Sequence, residues 1–460
     1  GVTLEVFGEG VSWGPLNDAM KAEFKERQSN IKYDIEWTTL GEYLDYLEKR
    51  GVSTNVASFV GATSVRIHEV GYDNRPATPE ELARMQELVR AAMREGALGV
   101  GSSLIYAPAN FASTEELIAL AKAAGEFGGM YISHIRNESG ELLEAVDELI
   151  RIAREAESPA EIYHLKASGR ANWGKMDAVL AKVEEARRAG VAVTADMYVY
   201  PASSTGLDAA MPLWVQEGGH DAWVARLKDP EIRKRVADEI RNPAGGEAGF
   251  HNAGGADGVL LIGFKNPALR KYTGRTLASV AAERGATPED TAIDLVIEDD
   301  SRVDVVYFTM SEENLLKQIV RPWVSFGSDG GSMAPEGAFL EKSTHPRAYG
   351  NFARVFAKYV REEGAITVEE AVRKLTLSPA LNLKLKDRGR LGEGFYADVI
   401  VFDPAAIQDH ATFDKPHQLA TGVRDVFVNG VLTLENEQHK GEKAGRAVRG
   451  PGWSGSEKPQ

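Results

Sequence analysis

The chain contains no cysteine, which excludes disulfides and thiolate metal sites outright. Any metal must be held by histidine and carboxylates. No apolar run reaches the length of a membrane span. Basic residues are outnumbered by acidic ones, 53 to 68, for a net charge of −15, and no basic stripe stands out against that balance. The electrostatic footprint of a nucleic-acid partner is therefore absent. The glycine-rich stretches GEGVSWG and GGADG lack the Lys-Ser/Thr that completes a phosphate loop. No initiator Met or signal peptide opens the chain. It starts in what reads as mid-strand, so the expectation is that more sequence lies upstream.

What remains is a chain of 460 residues, long enough for a large core. Its organising stretch runs from Gly129 to Lys166. Two short apolar runs, MYISH and EIYHLK, each carry a histidine at the end, His134 and His164. Between them an amphipathic segment puts Leu142, Val146, Leu149 and Ile150 on one face. In a parallel α/β protein, one strand-helix-strand step brings neighbouring strand ends to the same edge of the sheet. Two imidazoles placed so can share a metal ion.

The same rhythm extends along the chain. Strands are expected at 1–9, 55–61, 98–103, 130–134, 160–164, 191–197 and 323–329. Residues 16–50 read as helical. A helix over 77–97 has Thr78 as its cap, Pro79 in its first turn and Glu81 three residues after the cap; Ser113 caps another over 112–129. Residues 206–320 break the rhythm and read as an inserted subdomain, with a helix at Pro230–Ile240 and a glycine-rich stretch at Ala244–Gly258. From Leu391 to about 450, short strands with NG and KG turns predict a small β part, and 451–460 a frayed tail. The fold class is thus α/β, a (β/α)8 TIM-like barrel. Seven strands are one short of eight, and the first is assigned upstream of residue 1.

At this point the ordered motifs GVTLEVFGEG, GALGVGSSLIYAPANFAS, YISHIRNE, HLKASGRANWGK, TADMYVYPASST, FGSDGG and HPRAYG resemble the N-acyl-D-amino-acid deacylases (D-aminoacylases) of the metal-dependent amidohydrolase superfamily. The resemblance covers nearly the whole chain. It implies hydrolysis of the amide bond of small N-acyl-D-amino acids, with zinc as cofactor. Metal ligands would be His134, His164 and Glu9, the last standing where many members have cysteine. Asp329, in SDGG, would be the catalytic general base. Lys166, Tyr198 and Ser204 would bind the substrate carboxylate, with Tyr200 the rival of Tyr198 if the register slips by two. His345 and Arg347 would reach the site from the loop after Asp329.

One feature of the family is not present: no His-x-His occurs in this sequence, so one zinc ion is expected and a second is not. Arg136 and Asn137 are read as shaping their loop, Asp196 as a buried polar support, and the other histidines as surface groups. Two other readings stay open: an amidohydrolase of cyclic amides or dipeptides, and a truncated fragment without turnover.

Overall fold

The computed structural model describes residues 1–28, 30–243 and 249–455. Seven strand segments of the sequence pattern form the barrel wall. They are β1 (Leu4–Phe7), β2 (Asn55–Ser58) continuing past Phe59 into β3 (Val60–Gly61), β4 (Gly99–Ser103), β5 (Met130–His134), β6 (Ala160–Ile162), β7 (Val193–Met197) and, after the insertion, Val324–Phe326. All neighbours pair in parallel, β1 with β2 and then β3-β4-β5-β6-β7 on to Val324–Phe326. Strand-end side chains thus collect at one rim.

Alternation along the strands divides the core in two. Ala57, Phe59, Met130 and Ile132 fill the inside of the barrel. Val100, Tyr131, Ile162 and Ala195 face out, onto helices. These helices form where capping and amphipathicity require. Thr78 and Glu81 make a reciprocal capping box on Pro79–Arg94. Ser113 accepts from the Glu116 N–H at the start of Thr114–Gly125, and Leu142–Ala156 buries Leu142, Val146, Leu149 and Ile150.

The structure departs from the sequence pattern in three places. Residues 16–50 are two helices, Asp18–Arg27 and Leu40–Arg50. Gln28 ends the first, bonding both the N–H and the carbonyl of Tyr33. The intervening loop buries Trp37 against Trp13, Tyr43 and Tyr46, and that aromatic packing outweighs helical continuity. A helix at Ala62–Glu69, not foreseen, follows β3 directly. The insertion is shifted. It opens at β8 (Ser203–Gly206), which joins β9 (Val259–Gly263) and β10 (Asp304–Tyr307) in an antiparallel sheet over a core of its own. It closes near residue 310, because helix Glu312–Ile319 packs Leu315 and Ile319 into the barrel core and Asn314 bonds the Trp173 carbonyl. The strand Val324–Phe326 is therefore β11.

The C-terminal part is a four-stranded antiparallel sheet, as expected. The chain then returns beneath the barrel, where Val448 N–H bonds Val56 O (2.8 Å) and Gly450 N–H bonds Gly96 O (2.8 Å). The expected tail is packed at its start: Gly452 lies against the Met93 carbonyl. Its last five residues, 456–460, lie outside the described residues, as do 244–248 of the glycine-rich stretch. Among the described residues no helix is long and apolar enough to cross a membrane.

Candidate metal centre

Glu9 is presented by a turn that only glycine can make. Gly8 has φ +94°, and a Cβ there would lie 2.3 Å from the Phe59 carbonyl oxygen; a Cβ on Gly10 would strike Ser103. His134 ends β5. His164 follows β6 in a left-handed backbone conformation (φ 39°), which is costly for a non-glycine residue. Asp196 on β7 holds that turn, its Oδ1 accepting the His164 N–H at 2.8 Å. The support role read for Asp196 is the one it has. Asp329, three residues beyond β11, is also left-handed (φ 45°).

These turns bring the predicted triad together. The His134 and His164 rings lie 4.3 Å apart, nearly perpendicular. Glu9 Oε1 sits 3.2 Å from His134 Nδ1 and 3.4 Å from His164 Nε2. It is buried, yet makes no properly directed hydrogen bond to either. Ligands ~2.1 Å from a tetrahedral zinc are roughly 3.4 Å from one another, so this spacing suits a shared ion better than direct hydrogen bonding. Among the described residues, Glu9, His134 and His164 are the one cluster of three ligating groups of this kind. The donor set of two imidazoles and a carboxylate fits zinc or a similar divalent ion.

A residue the sequence reading passed over completes the centre. Glu138, buried in the loop after β5, places its carboxylate behind the imidazoles, with Oε1 3.2 Å from His164 Nδ1 and Oε2 3.6 Å from His134 Nε2. Such a carboxylate orients ligand rings and raises their basicity. The available signal was its position four residues after a strand-end histidine, in a segment too short to be solvated. Asn137 shapes this loop as expected, its Oδ1 accepting the N–H groups of Ser139 and Glu141, while Arg136 ties it to Glu148.

Electrostatics follow from burial and proximity. Burial acts to raise the Glu9 and Glu138 carboxyls, but the adjacent imidazoles, and Lys166 for Glu138, hold both well below the usual range. The histidines diverge. Burial lowers His134. It also opposes protonation of His164, yet Asp329, Glu138 and Glu9 hold that ring up at about 10. Burial and the neighbouring Glu161 raise Asp196. With both imidazoles neutral, as metal ligands must be, Glu9, Glu138 and Asp329 against Lys166 and Arg347 leave one formal negative charge in excess, a setting that favours a cation in place of the His164 proton.

The remaining predicted residues divide. Tyr198 faces the cavity and its buried hydroxyl has no partner. Tyr200, whose hydroxyl is also unpartnered, does not line this cavity: it packs on Gly350, His345 and Phe413. Ser204 lines the cavity with its hydroxyl donated to Val305 O (2.9 Å). Lys166 is at the cavity, but its ammonium is engaged, 2.6 Å from both Glu138 Oε1 and His164 Nδ1. His345 is not positioned to reach a substrate at the metal cluster. Its Nε2 bonds Ala202 O and its Nδ1 accepts the Arg347 N–H, each at 3.0 Å, so it braces the loop. Arg347 is the cation that does arrive. Its Nη2 holds Asp329 Oδ2 at 2.7 Å, while Nε and Nη1 are buried without partners. None of the other six histidines lines this cavity.

A parallel barrel with two imidazoles and a carboxylate clustered on its strand ends, and an aspartate beside them, defines the class of metal-dependent barrel hydrolases. Comparison with known proteins sharpens this. Residues 33–434 match the model of the amidohydrolase family. The chain is 31% identical to the D-aminoacylase of Alcaligenes xylosoxydans xylosoxydans, over 97% of this chain and 81% of that one. It is 33% identical to the N-acyl-D-glutamate deacylase of the same organism, over 88% and 72%. Among solved structures, the N-acyl-D-glutamate deacylase of Bordetella bronchiseptica, complexed with zinc and a phosphonate mimic of the tetrahedral intermediate, superposes with a TM-score of 0.79 at 28% identity, covering 98% of this chain and 83% of that one. A D-aminoacylase described as having a binuclear metal centre gives 0.78 at 31%, with the same coverage. The chain belongs to the amidohydrolase family.

Proposed function

We propose that this protein hydrolyses the amide bond of N-acyl-D-amino acids, releasing a carboxylate and a D-amino acid. The observation that carries the reading is the buried, unsatisfied Glu9 Oε1 between two imidazoles, next to an aspartate-arginine pair. Glu9, His134 and His164 would hold a single zinc ion. Such an ion supplies Lewis acidity, acidifying water and polarising an amide carbonyl. Glu138 would hold both imidazoles in the orientation a metal needs, with Lys166 balancing its charge.

Asp329 is the proton carrier. Arg347 occupies Oδ2, which leaves Oδ1 to take the proton from the attacking water and return it to the departing amine nitrogen. The unpartnered Nε and Nη1 of Arg347 are two separate N–H donors for the α-carboxylate of an amino acid, and the Tyr198 hydroxyl is a further unpartnered donor. The ring of Tyr198 sits 4.4 Å from the Arg347 guanidinium carbon, so one group positions the other. Ser204 continues that edge through its carbonyl, 3.5 Å from Arg347 Nη2.

The test is turnover by the zinc-loaded protein of N-acetyl-D-methionine, N-acetyl-L-methionine, a hydantoin and a D-dipeptide. Release of amine from the D-acyl compound alone is the expected result. Preference for the hydantoin or the dipeptide, or no turnover with zinc bound, overturns the reading.

A further inference from the structure

The inserted subdomain builds one wall of the catalytic cavity. Ala209, Gly249, Asn252, Tyr307 and Thr309 line the space that also contains the metal cluster and Asp329. None of the five is charged. Thr309 has the most specific placement. Its carbonyl accepts from Gly169 N–H and Trp173 Nε1, both at 2.8 Å, which pins the backbone. The residue is 2% exposed, and its hydroxyl has no partner. A buried hydroxyl without a partner costs roughly 1–3 kcal/mol, and because this one lines the cavity, unlike those of Thr63 and Thr291, a ligand group there can complete the bonding.

This wall adjoins the amino-acid half of the substrate. β8 links them, because Ser203 and Ser204 pair with Tyr307 and Val306, and the Ser204 carbonyl lies beside Arg347. The cations nearby are already matched. Lys166 is on Glu138. Arg302 stacks over Tyr106 at 4.7 Å with its Nε on Asp208 Oδ2 (2.7 Å), and Lys342 is 3.2 Å from Asp304. A second carboxylate, beyond the one Arg347 takes, would enter a buried space that already holds Glu9, Glu138 and Asp329 and would meet no uncompensated cation among the described residues. Desolvation without a counter-charge strongly disfavours that. The relatives leave this point open, since their names include both a D-aminoacylase and deacylases of N-acyl-D-glutamate and N-acyl-D-aspartate.

We infer that the subdomain wall is the substrate side-chain subsite, that it selects uncharged D-residues over acidic ones, and that Thr309 is a specificity-determining residue that hydrogen-bonds polar uncharged side chains. The inference rests on the deacylase reading. The experiment is a kcat/KM panel on the zinc-loaded protein with the N-acetyl forms of D-leucine, D-methionine, D-glutamine, D-asparagine, D-glutamate and D-aspartate. The D-glutamine and D-glutamate pair isolates charge at constant shape, and the amide is expected to be favoured by about 100-fold. An acid within tenfold of its amide, or faster, overturns the selectivity while leaving the deacylase reading intact. Hydrolysis of none of the six overturns that reading and the inference together. Thr309→Val keeps the shape and removes the hydroxyl. It is expected to lower kcat/KM about tenfold for the two amides, through KM, and to leave D-leucine within twofold. An equal loss on all substrates assigns Thr309 a purely structural role and overturns its part. Should the variant not fold, the amide-acid comparison in the unaltered protein still decides the selectivity.

Discussion

The Glu138–Lys166 pair offers a sharp test of how the centre is held. Lys166 Nζ lies 2.6 Å from Glu138 Oε1, and both side chains are at most 7% exposed. Truncating one member of a buried pair strands the other charge, at a cost of about 3–5 kcal/mol. Glu138→Ala is therefore expected to lose that much in urea unfolding of the metal-free protein. Lys166→Met removes the opposite charge. In Glu138→Ala/Lys166→Met no charge is stranded, so the double variant should recover about 2 kcal/mol relative to the Glu138 variant, with a clearly non-additive cycle. Working on metal-free protein separates this energy from that of metal binding. Zinc competition on the milder Glu138→Gln variant then reads the second role, with affinity expected to fall about 10–100-fold as the rings lose their orienting acceptor. A coupling below about 0.5 kcal/mol would refute the reasoning. It would mean that the Lys166 ammonium is free in solution and available to substrate, as the sequence resemblance first implied.

Other outcomes follow from the same geometry. His134→Ala and His164→Ala should each lose bound zinc by elemental analysis, whereas Asp329→Asn should keep it and lose about 10²–10⁴-fold in kcat; near-normal turnover would remove Asp329 from its role. Tyr198→Phe should raise KM for N-acetyl-D-methionine, while Tyr200→Phe, away from the cavity, should leave it within twofold. Lys374 is buried under β11, donating to the carbonyls of Arg321 and Val324, and burial lowers it to about 8. Its charged form is disfavoured in the fold and its unfolded value is higher. Between about pH 8 and 10 the unfolded chain binds more protons, so stability rises with pH there relative to Lys374→Met. A flat difference between the two proteins across that range would refute this.

Much of the fold was legible because periodicity and capping are local. The alternation in MYISH, the capping box at Thr78 and Glu81, and the helical stripe over 142–156 each act within one element, and each is found where the pattern puts it. Where non-local packing won, the pattern misled. The Trp37 aromatic cluster cut a helical stretch in two, and helix Glu312–Ile319 joined the barrel because Leu315 and Ile319 had a core to enter. The site shows the same division. His134, His164 and Asp329 were readable from strand ends, since parallel topology carries every strand end to one rim. The placement of Glu9 needed only the two glycines around it.

Sequence by itself thus determined that Glu9, His134, His164 and Asp329 reach the rim, but not that Glu138 stands behind them or that His345 is held away. Tertiary structure decided what each does there. It spent the charge of Lys166 on Glu138, locked His345 between two backbone bonds, and left the donors of Arg347 open. The reason is physical: whether a buried polar group is satisfied depends on partners from elsewhere in the chain, 28 residues away for Lys166 and Glu138 and 143 for His345 and Ala202. No spacing rule in the sequence encodes those meetings.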